Sequence, residues 1–228
     1  METLALHLDL ERSANEPWFL RLSRRSTVRT FALFVTLVCL AASAQATSIF
    51  FNGFNFPDTP PAVDVTVFNG GAIGPWTVGG DSVDWIGGYW QPAEGNGSID
   101  VSGNAAGSVS TTLSTVAGQT YYLSFYLAGN PDNGGGIRSV QVQVGDLDQL
   151  FTFDSTGYSH ASMGWIHVES VAFLAAGNDT LTFTSLDLNQ FGAALDGVSV
   201  SDTKIPEPAT LVLIGSGLIG IGLLRRRH

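Results

Sequence analysis

The stretch "TYYLSFYLA" constrains this chain more than any other. Tyr121, Leu123, Phe125 and Leu127 fall on one parity, and Tyr122, Ser124 and Tyr126 on the other. A period of two belongs to an extended strand with one buried face. "IRSVQVQVG" repeats the pattern with Val140, Val142 and Val144 inward, and "DTLTFTS" does so with Leu181 and Phe183. In "MGWIHVESVAFLA" the parity slips: Ile166 and Val168 form one set, Val171 and Phe173 the other. One extra residue near Glu169 or Ser170, a β-bulge, reconciles the two. "GGAIGP", "EGNGS", "SGNAAG", "AGNPDNGGG", "DSTG" and "AAGND" separate the runs and supply Gly, Asn or Asp where a turn must close. Short strands at this spacing predict an all-β sandwich. No helical period is sustained before the C-terminal tail, and no segment repeats.

Both ends of the chain differ from this middle. Arg21, Arg24, Arg25 and Arg29 form a basic region, Phe31 to Leu40 an apolar one, and Ala44-Gln45-Ala46 a small-residue cleavage site. This is the layout of a secretory signal peptide, cut by signal peptidase after Ala46. The residues before Arg21 include Glu2, Asp9, Glu11 and Glu16, which suit no such region, so the true start is expected further in. Cys39 is the only cysteine and precedes the cut. The mature chain therefore has no disulfide and depends on its core. At the other end, Leu211 to Leu224 is uncharged and Arg225, Arg226 and Arg227 follow. Fourteen helical residues reach about 21 Å against a hydrocarbon core of about 30 Å. The reading is a short transmembrane helix with its arginines in the cytoplasm. The expected layout is an N-terminal extension and signal peptide over 1–46, a β-sandwich over 47–204, and a tail over 205–228.

With the ends removed, fifteen acidic residues face only Arg138 and Lys204, a net charge of about −13. Such a field repels phosphate backbones and excludes nucleic acid as a partner. It attracts cations, calcium among them, or it serves solubility alone. His160 and His167 are the histidines inside this span, and their separation makes no zinc motif. Neither a G-x-S-x-G elbow nor a phosphate loop is present, so no catalytic residue is assigned. A glycosidase pair of carboxylates is defined by distance in space, which spacing along the chain does not reveal.

"PWTVGGDSVDWIGGYWQPAEGNG" packs Trp76, Trp85, Tyr89 and Trp90 among glycines, carboxylates and amides. A sugar needs this combination of flat apolar faces and polar groups aimed at its hydroxyls. Tyr89 and Trp90, flanked by Gly87, Gly88 and Pro92, read as a loop and form the favoured contact pair, with Trp76 and Trp85 further candidates or core. Outward Tyr122 and Tyr126 form a second stripe.

Two resemblances follow from quoted residues. "PEPATLVLIGSGLIGIGLLRRR", with Pro206-Glu207-Pro208, an apolar segment and an arginine cluster, resembles the PEP-CTERM sorting signal. That family implies recognition by an exosortase at the inner membrane of Gram-negative bacteria that make exopolysaccharide. The pieces "GPWTVGGDSVDWIG", "GNGSIDVSG", "TTLSTVAGQTYYLSFYLAGNP", "WIHVESVAFLAAGNDTLTFTS" and "ALDGVSV" resemble the DUF642 or choice-of-anchor C group. That group implies a galactose-binding-like jelly-roll β-sandwich and gives Trp85 a structural task. Its opening Asn-Gly-x-Phe-Glu motif is altered here: "FNGFNF" keeps Asn52 and Gly53 but has no Glu, with Asn55 and Phe56 in the last two places. In "ALDGVSV", period two places Asp196 on the face of Val198 and Val200, pointing inward. A buried carboxylate needs donors or a metal. Related jelly rolls imply a structural calcium held by Asp196 with Asn55 or a nearby carbonyl; alternatively Asp196 accepts backbone N–H bonds in a turn beside Gly197. Together these readings predict an exported, non-catalytic sandwich, sorted to the envelope or matrix and associated with exopolysaccharide or cell-wall glycan. The alternatives are a purely structural surface protein and, less favoured, a glycoside hydrolase.

Overall fold

A computed structural model of the chain describes residues 47–55 and 61–204. The signal cleavage residues Ala44 and Ala46, the Pro206-Glu207-Pro208 motif, the segment from Leu211 to Leu224 and Arg225 to Arg227 lie outside the described residues.

Thirteen strands form two antiparallel sheets, with a single 3-10 turn at Asp132–Gly134 as the helical element among the described residues. In spatial order the first sheet holds β11 (Ile166–Leu174), β8 (Thr120–Gly129), β13 (Ala193–Ser201), β6 (Ser98–Asp100), β5 (Ser82–Ile86) and β2 (Asp64–Phe68). The opening strand β1 (Ser48–Asn52) also pairs with β13. The second sheet runs β10 (Leu147–Asp154), β9 (Ile137–Val144), β12 (Thr180–Ser185), β7 (Gly107–Thr112), β4 (Trp76–Gly80) and β3 (Ala72–Ile73). The expected all-β sandwich is the observed architecture.

The core lies where the inward parities of the two sheets meet. Leu123, Phe125, Leu127, Val140, Val142, Leu181 and Phe183 are all buried, as their alternation requires. An aromatic chain ties sheet to sheet: Phe54 stacks on Trp76 at 5.8 Å, Trp76 meets Phe183 at 5.9 Å, and Phe183 meets Phe125 at 5.2 Å. Burying each such ring contributes about 2–3 kcal/mol. The indole N–H of Trp76 donates to Asn52 Oδ1 at 3.1 Å, so this interior tryptophan leaves no donor unpaired.

Two bulges flank the central strand β8. On β11 the register jumps between Val168, opposite Phe125, and Val171, opposite Leu123. Ser170 has φ 53° there and donates its N–H to Ser124 Oγ at 2.9 Å. The parity slip in the sequence is this bulge. On β13 the register jumps between Asp196, opposite Tyr126, and Ser199, opposite Ser124, with Gly197 at φ 53°.

The second bulge corrects the expectation for Asp196. The extra residue reverses parity, so Val198 and Val200 face the core while Asp196 pairs with outward Tyr126. β13 also changes neighbour at this point: β6 pairs with Ala194 and Leu195, and β1 with Val198 to Ser201. Asp196 thus sits over an interruption in the ladder on the outer face.

The first and last strands close the domain at one end. Thr47 donates its N–H to Asp202 Oδ1, and Asp202 donates its N–H to Thr47 O, both at 3.2 Å.

Candidate functional site

The segment between β5 and β6 folds back over the outer face of the first sheet. Its glycines permit the approach, because a Cβ at Gly87 or Gly88 would collide with the carbonyl oxygen of Pro61 or Ala62. Trp90 then turns onto the sheet, where it is 3% exposed, and its indole N–H donates to Ser98 Oγ at 2.8 Å. Pro61, Gly87, Gly88, Trp90, Pro92 and Asn96 border an open cleft of about 370 Å³.

Next along this segment, the N–H groups of Ala93 and Glu94 both donate to Asp196 Oδ2 at 2.9 Å, and Gly197 N–H donates to Oδ1 at 2.7 Å. Asp196 is 0% exposed although it points away from the core. Burial pushes its carboxyl up to about 7, and the nearby Glu94 carboxylate adds to the shift while the three N–H donors oppose it. Gly53 lies among these groups: a Cβ there would stand 2.8 Å from Glu94 Oε1, 2.9 Å from Asn55 Nδ2 and 3.8 Å from Asp196 Oδ1. Two carboxylates and an amide are oxygen donors of the kind calcium takes. Asn55 Oδ1 accepts the Asn96 N–H at 2.6 Å. Among the described residues, no group of three or more His, Cys, Asp or Glu side chains is placed to hold a metal ion.

A third feature is exposed. The Tyr89 hydroxyl donates to Asp132 Oδ2 at 2.8 Å, and His160 Nε2 lies 2.8 Å from Asp132 Oδ1. The Tyr89 and His160 rings pack at 4.3 Å between centroids. Tyr89 is 36% exposed, and the hydrogen bond to the Asp132 carboxylate pushes its phenol up to about 12. Backbone bonds staple the loops together: Gln91 N–H donates to His160 O at 2.8 Å, and Trp165 Nε1 donates to Gln91 O at 2.8 Å.

Asp132 is fixed from below. Asn130 is buried; its Oδ1 accepts the Asp132 N–H at 2.9 Å and its Nδ2 donates to Asp100 Oδ2 at 2.8 Å. Asp100 also accepts N–H bonds from Ser102 at 2.9 Å and Gly192 at 3.1 Å. Complete burial raises the Asp100 carboxyl well above the usual range, against the pull of these donors. Arg138 donates through Nε to Asn130 O at 3.1 Å and through Nη2 to Asp132 O at 3.3 Å. A hydrogen-bonded chain therefore runs from buried Asp100, at the end of interior strand β6, to the exposed tyrosine.

On the same outer face, Tyr126 stacks on His167 at 4.4 Å with rings 19° apart, and His167 Nδ1 lies 2.7 Å from Glu169 Oε1. Tyr122 and Tyr126 are half-buried and outward, as their parity requires.

Residues 49–201 match the family model described as "Protein of unknown function (DUF642)". The chain belongs to the DUF642 family. Behind this DUF642 domain, residues 204–227 match the PEP-CTERM protein-sorting motif, which marks a protein exported to the cell envelope for processing by an exosortase. A curated relative is Halomucin of Haloquadratum walsbyi, 29% identical over 192 residues; the match takes in 77% of this chain and 2% of that protein's length. Solved structures with partial overlay include a carbohydrate-binding module, TmCBM61, in complex with β-1,4-galactotriose (TM-score 0.40, 14% identity, 57% of this chain and 89% of that one). Another is the CBM22-1 xylan-binding domain of Xyn10C from Paenibacillus barcinonensis (TM-score 0.45, 14% identity, 72% and 100%).

The aromatic residues singled out in the sequence do not form one surface in the DUF642 domain. Trp76 is wholly interior and Trp90 is packed on Ser98, so neither offers a free ring face; the loop composition around Trp90 concealed that the loop folds back onto the sheet. Trp85 is half-buried and donates its indole N–H to Phe54 O at 2.9 Å. Tyr89 is the most exposed of the four. Asp132 and His160, which complete its setting, lie 43 and 71 residues away in sequence, and no spacing motif links them. The turn-rich "NPDNGGG" was the one local signal for Asp132.

Proposed function

We propose that this domain is displayed at the bacterial envelope by its sorting tail and binds a glycan, of the exopolysaccharide or the cell wall, at the Tyr89 loop. The carrying observation is the Tyr89 ring, exposed yet fixed by Asp132 and His160 beside a cleft bordered by Gly, Pro and Trp90. A held aromatic face loses little freedom on binding, and the adjacent carboxylate, imidazole and Asn96 amide suit sugar hydroxyls. The role is non-catalytic. Tyr89→Ala is expected to weaken glycan retention by about tenfold or more while lowering the melting temperature by only about 2–4 °C. Failure of the unaltered protein to bind any glycan on an array would leave the purely structural reading.

Tail processing has its own test. Intact mass of the protein recovered from its host's envelope and medium is expected to lack residues 1–46 and the segment after Pro206-Glu207-Pro208. A mass that retains Leu211 to Arg227 would instead indicate a permanent membrane anchor.

A second reading, favoured by the convergence of Glu94, Asn55 and Asp196 on Gly53, is a structural calcium. Those three residues would hold it, and it would neutralise two neighbouring carboxylates that have no basic partner. Calcium is then expected to raise the melting temperature over that in chelator, and Glu94→Gln to remove most of the difference. Equal melting with and without calcium would overturn it.

A further inference from the structure

Resting on the glycan reading, we propose that the Tyr89 face selects glycans free of acidic groups, neutral or amine-bearing, and rejects uronic-acid polymers. Asp132 stands 2.8 Å from the Tyr89 hydroxyl; Asp64 follows Val63, whose carbonyl oxygen accepts the Tyr89 N–H at 3.1 Å, and the charges of Asp64 and Asp84 act on the same phenol. Recognition of a sugar carboxylate calls for arginine or lysine donors. Between Thr47 and Lys204 the chain has only Arg138 and Lys204. Arg138 is buried, its Nε and Nη2 donate to the carbonyl oxygens of Asn130 and Asp132, and its guanidinium lies 5.6 Å over the Phe191 ring. Lys204 follows β13 at the end where β13 meets β1, whereas Asp132 follows the opposite end of β8. His160 is the nearest group that protonation makes cationic, and its Nε2 already faces Asp132. A carboxylate brought to this face thus meets like charges and no counter-charge.

The test uses the full-length protein in chelator and ligand pairs on a common sugar backbone that differ in charge. The pairs are polygalacturonate with its methyl ester, cello-oligosaccharides with their C6-oxidised form, and chitosan with its N-succinylated form. Retention of the neutral or amine member of at least one pair is expected to exceed that of its acidic partner about tenfold at low salt, the gap narrowing as salt rises. Asp64→Lys, at an exposed position, is expected to strengthen the acidic member several-fold and leave the neutral one unchanged. Equal or tighter retention of the acidic member at low salt, or no response to Asp64→Lys, overturns the proposal while leaving glycan binding intact. Retention of no member of any pair overturns the glycan reading and this inference with it.

Discussion

Asp100 is a carboxyl with no solvent contact, held by Ser102, Gly192 and Asn130 and placed directly opposite Asp84 across the β5–β6 pair. Its folded pKa is raised, so between the unfolded value of about 3.9 and the folded one the native state binds more protons than the unfolded state. This contribution to stability is therefore greatest at acid pH and is lost as pH climbs out of the ordinary carboxylate range. Asp100→Asn is accordingly expected to cost less stability at pH 7 than at pH 4, read from urea unfolding at both. Neighbouring Tyr89 and Trp90 make a sharper contrast. Trp90→Ala removes a buried ring and is expected to cost about 3–5 kcal/mol in the same unfolding experiment. Tyr89→Ala removes a surface ring with one hydrogen bond and should cost about 1 kcal/mol. Adjacent aromatics in one sequence thus separate into a packing residue and an exposed one, the residue proposed to bind.

At the scale of elements, the paired bulges beside β8 decide what the outer face presents. They bring Asp196 and His167 opposite Tyr126 and fix Gly197 at φ 53°. A Cβ at Gly197 would lie 2.7 Å from the Tyr126 ring. Gly197→Ala is expected to lower stability by about 1–3 kcal/mol, measured as a shift in the urea midpoint. The bulge on β11 was legible because apolar residues of conflicting parity sit on either side of it, Ile166 and Val168 against Val171 and Phe173. On β13 the same signal stands in "ALDGVSV", where Leu195 is of opposite parity to Val198 and Val200, but reading Asp196 together with the valines passed over it. The central strands β8, β9 and β12 declared themselves through alternation. Edge strand β10, with Phe153 as its one buried residue, did not. The Tyr89 site was half legible for a related reason: composition marks the aromatic, while Asp132 and His160 reach it through tertiary structure alone.

Across the whole domain, the first and last described residues and the candidate site occupy opposite poles. Thr47 and Asp202 are bonded to one another, and β13 and β8 carry the structure from Ser201 opposite Tyr122 to Ala193 opposite Gly129, just before Asp132. Seven residues of strand span roughly 25 Å. Because residues 47–204 contain no cysteine, spin labels at Thr203→Cys and Asn133→Cys on that segment report this separation without background. A measured distance of about 25–30 Å is expected, and one under about 15 Å would contradict the arrangement. A domain tethered through Lys204 therefore holds its Tyr89 loop away from the anchoring surface. It also determines how tension passes through the molecule. Load applied at the far pole and resisted at Lys204 runs along β13, whose ladders to β8, β6 and β1 are stretched together in shear. Pulling on Thr47 and Lys204 would instead peel β1 from β13 one bond at a time, so the direction of force sets whether this sandwich acts as a rivet or a zip.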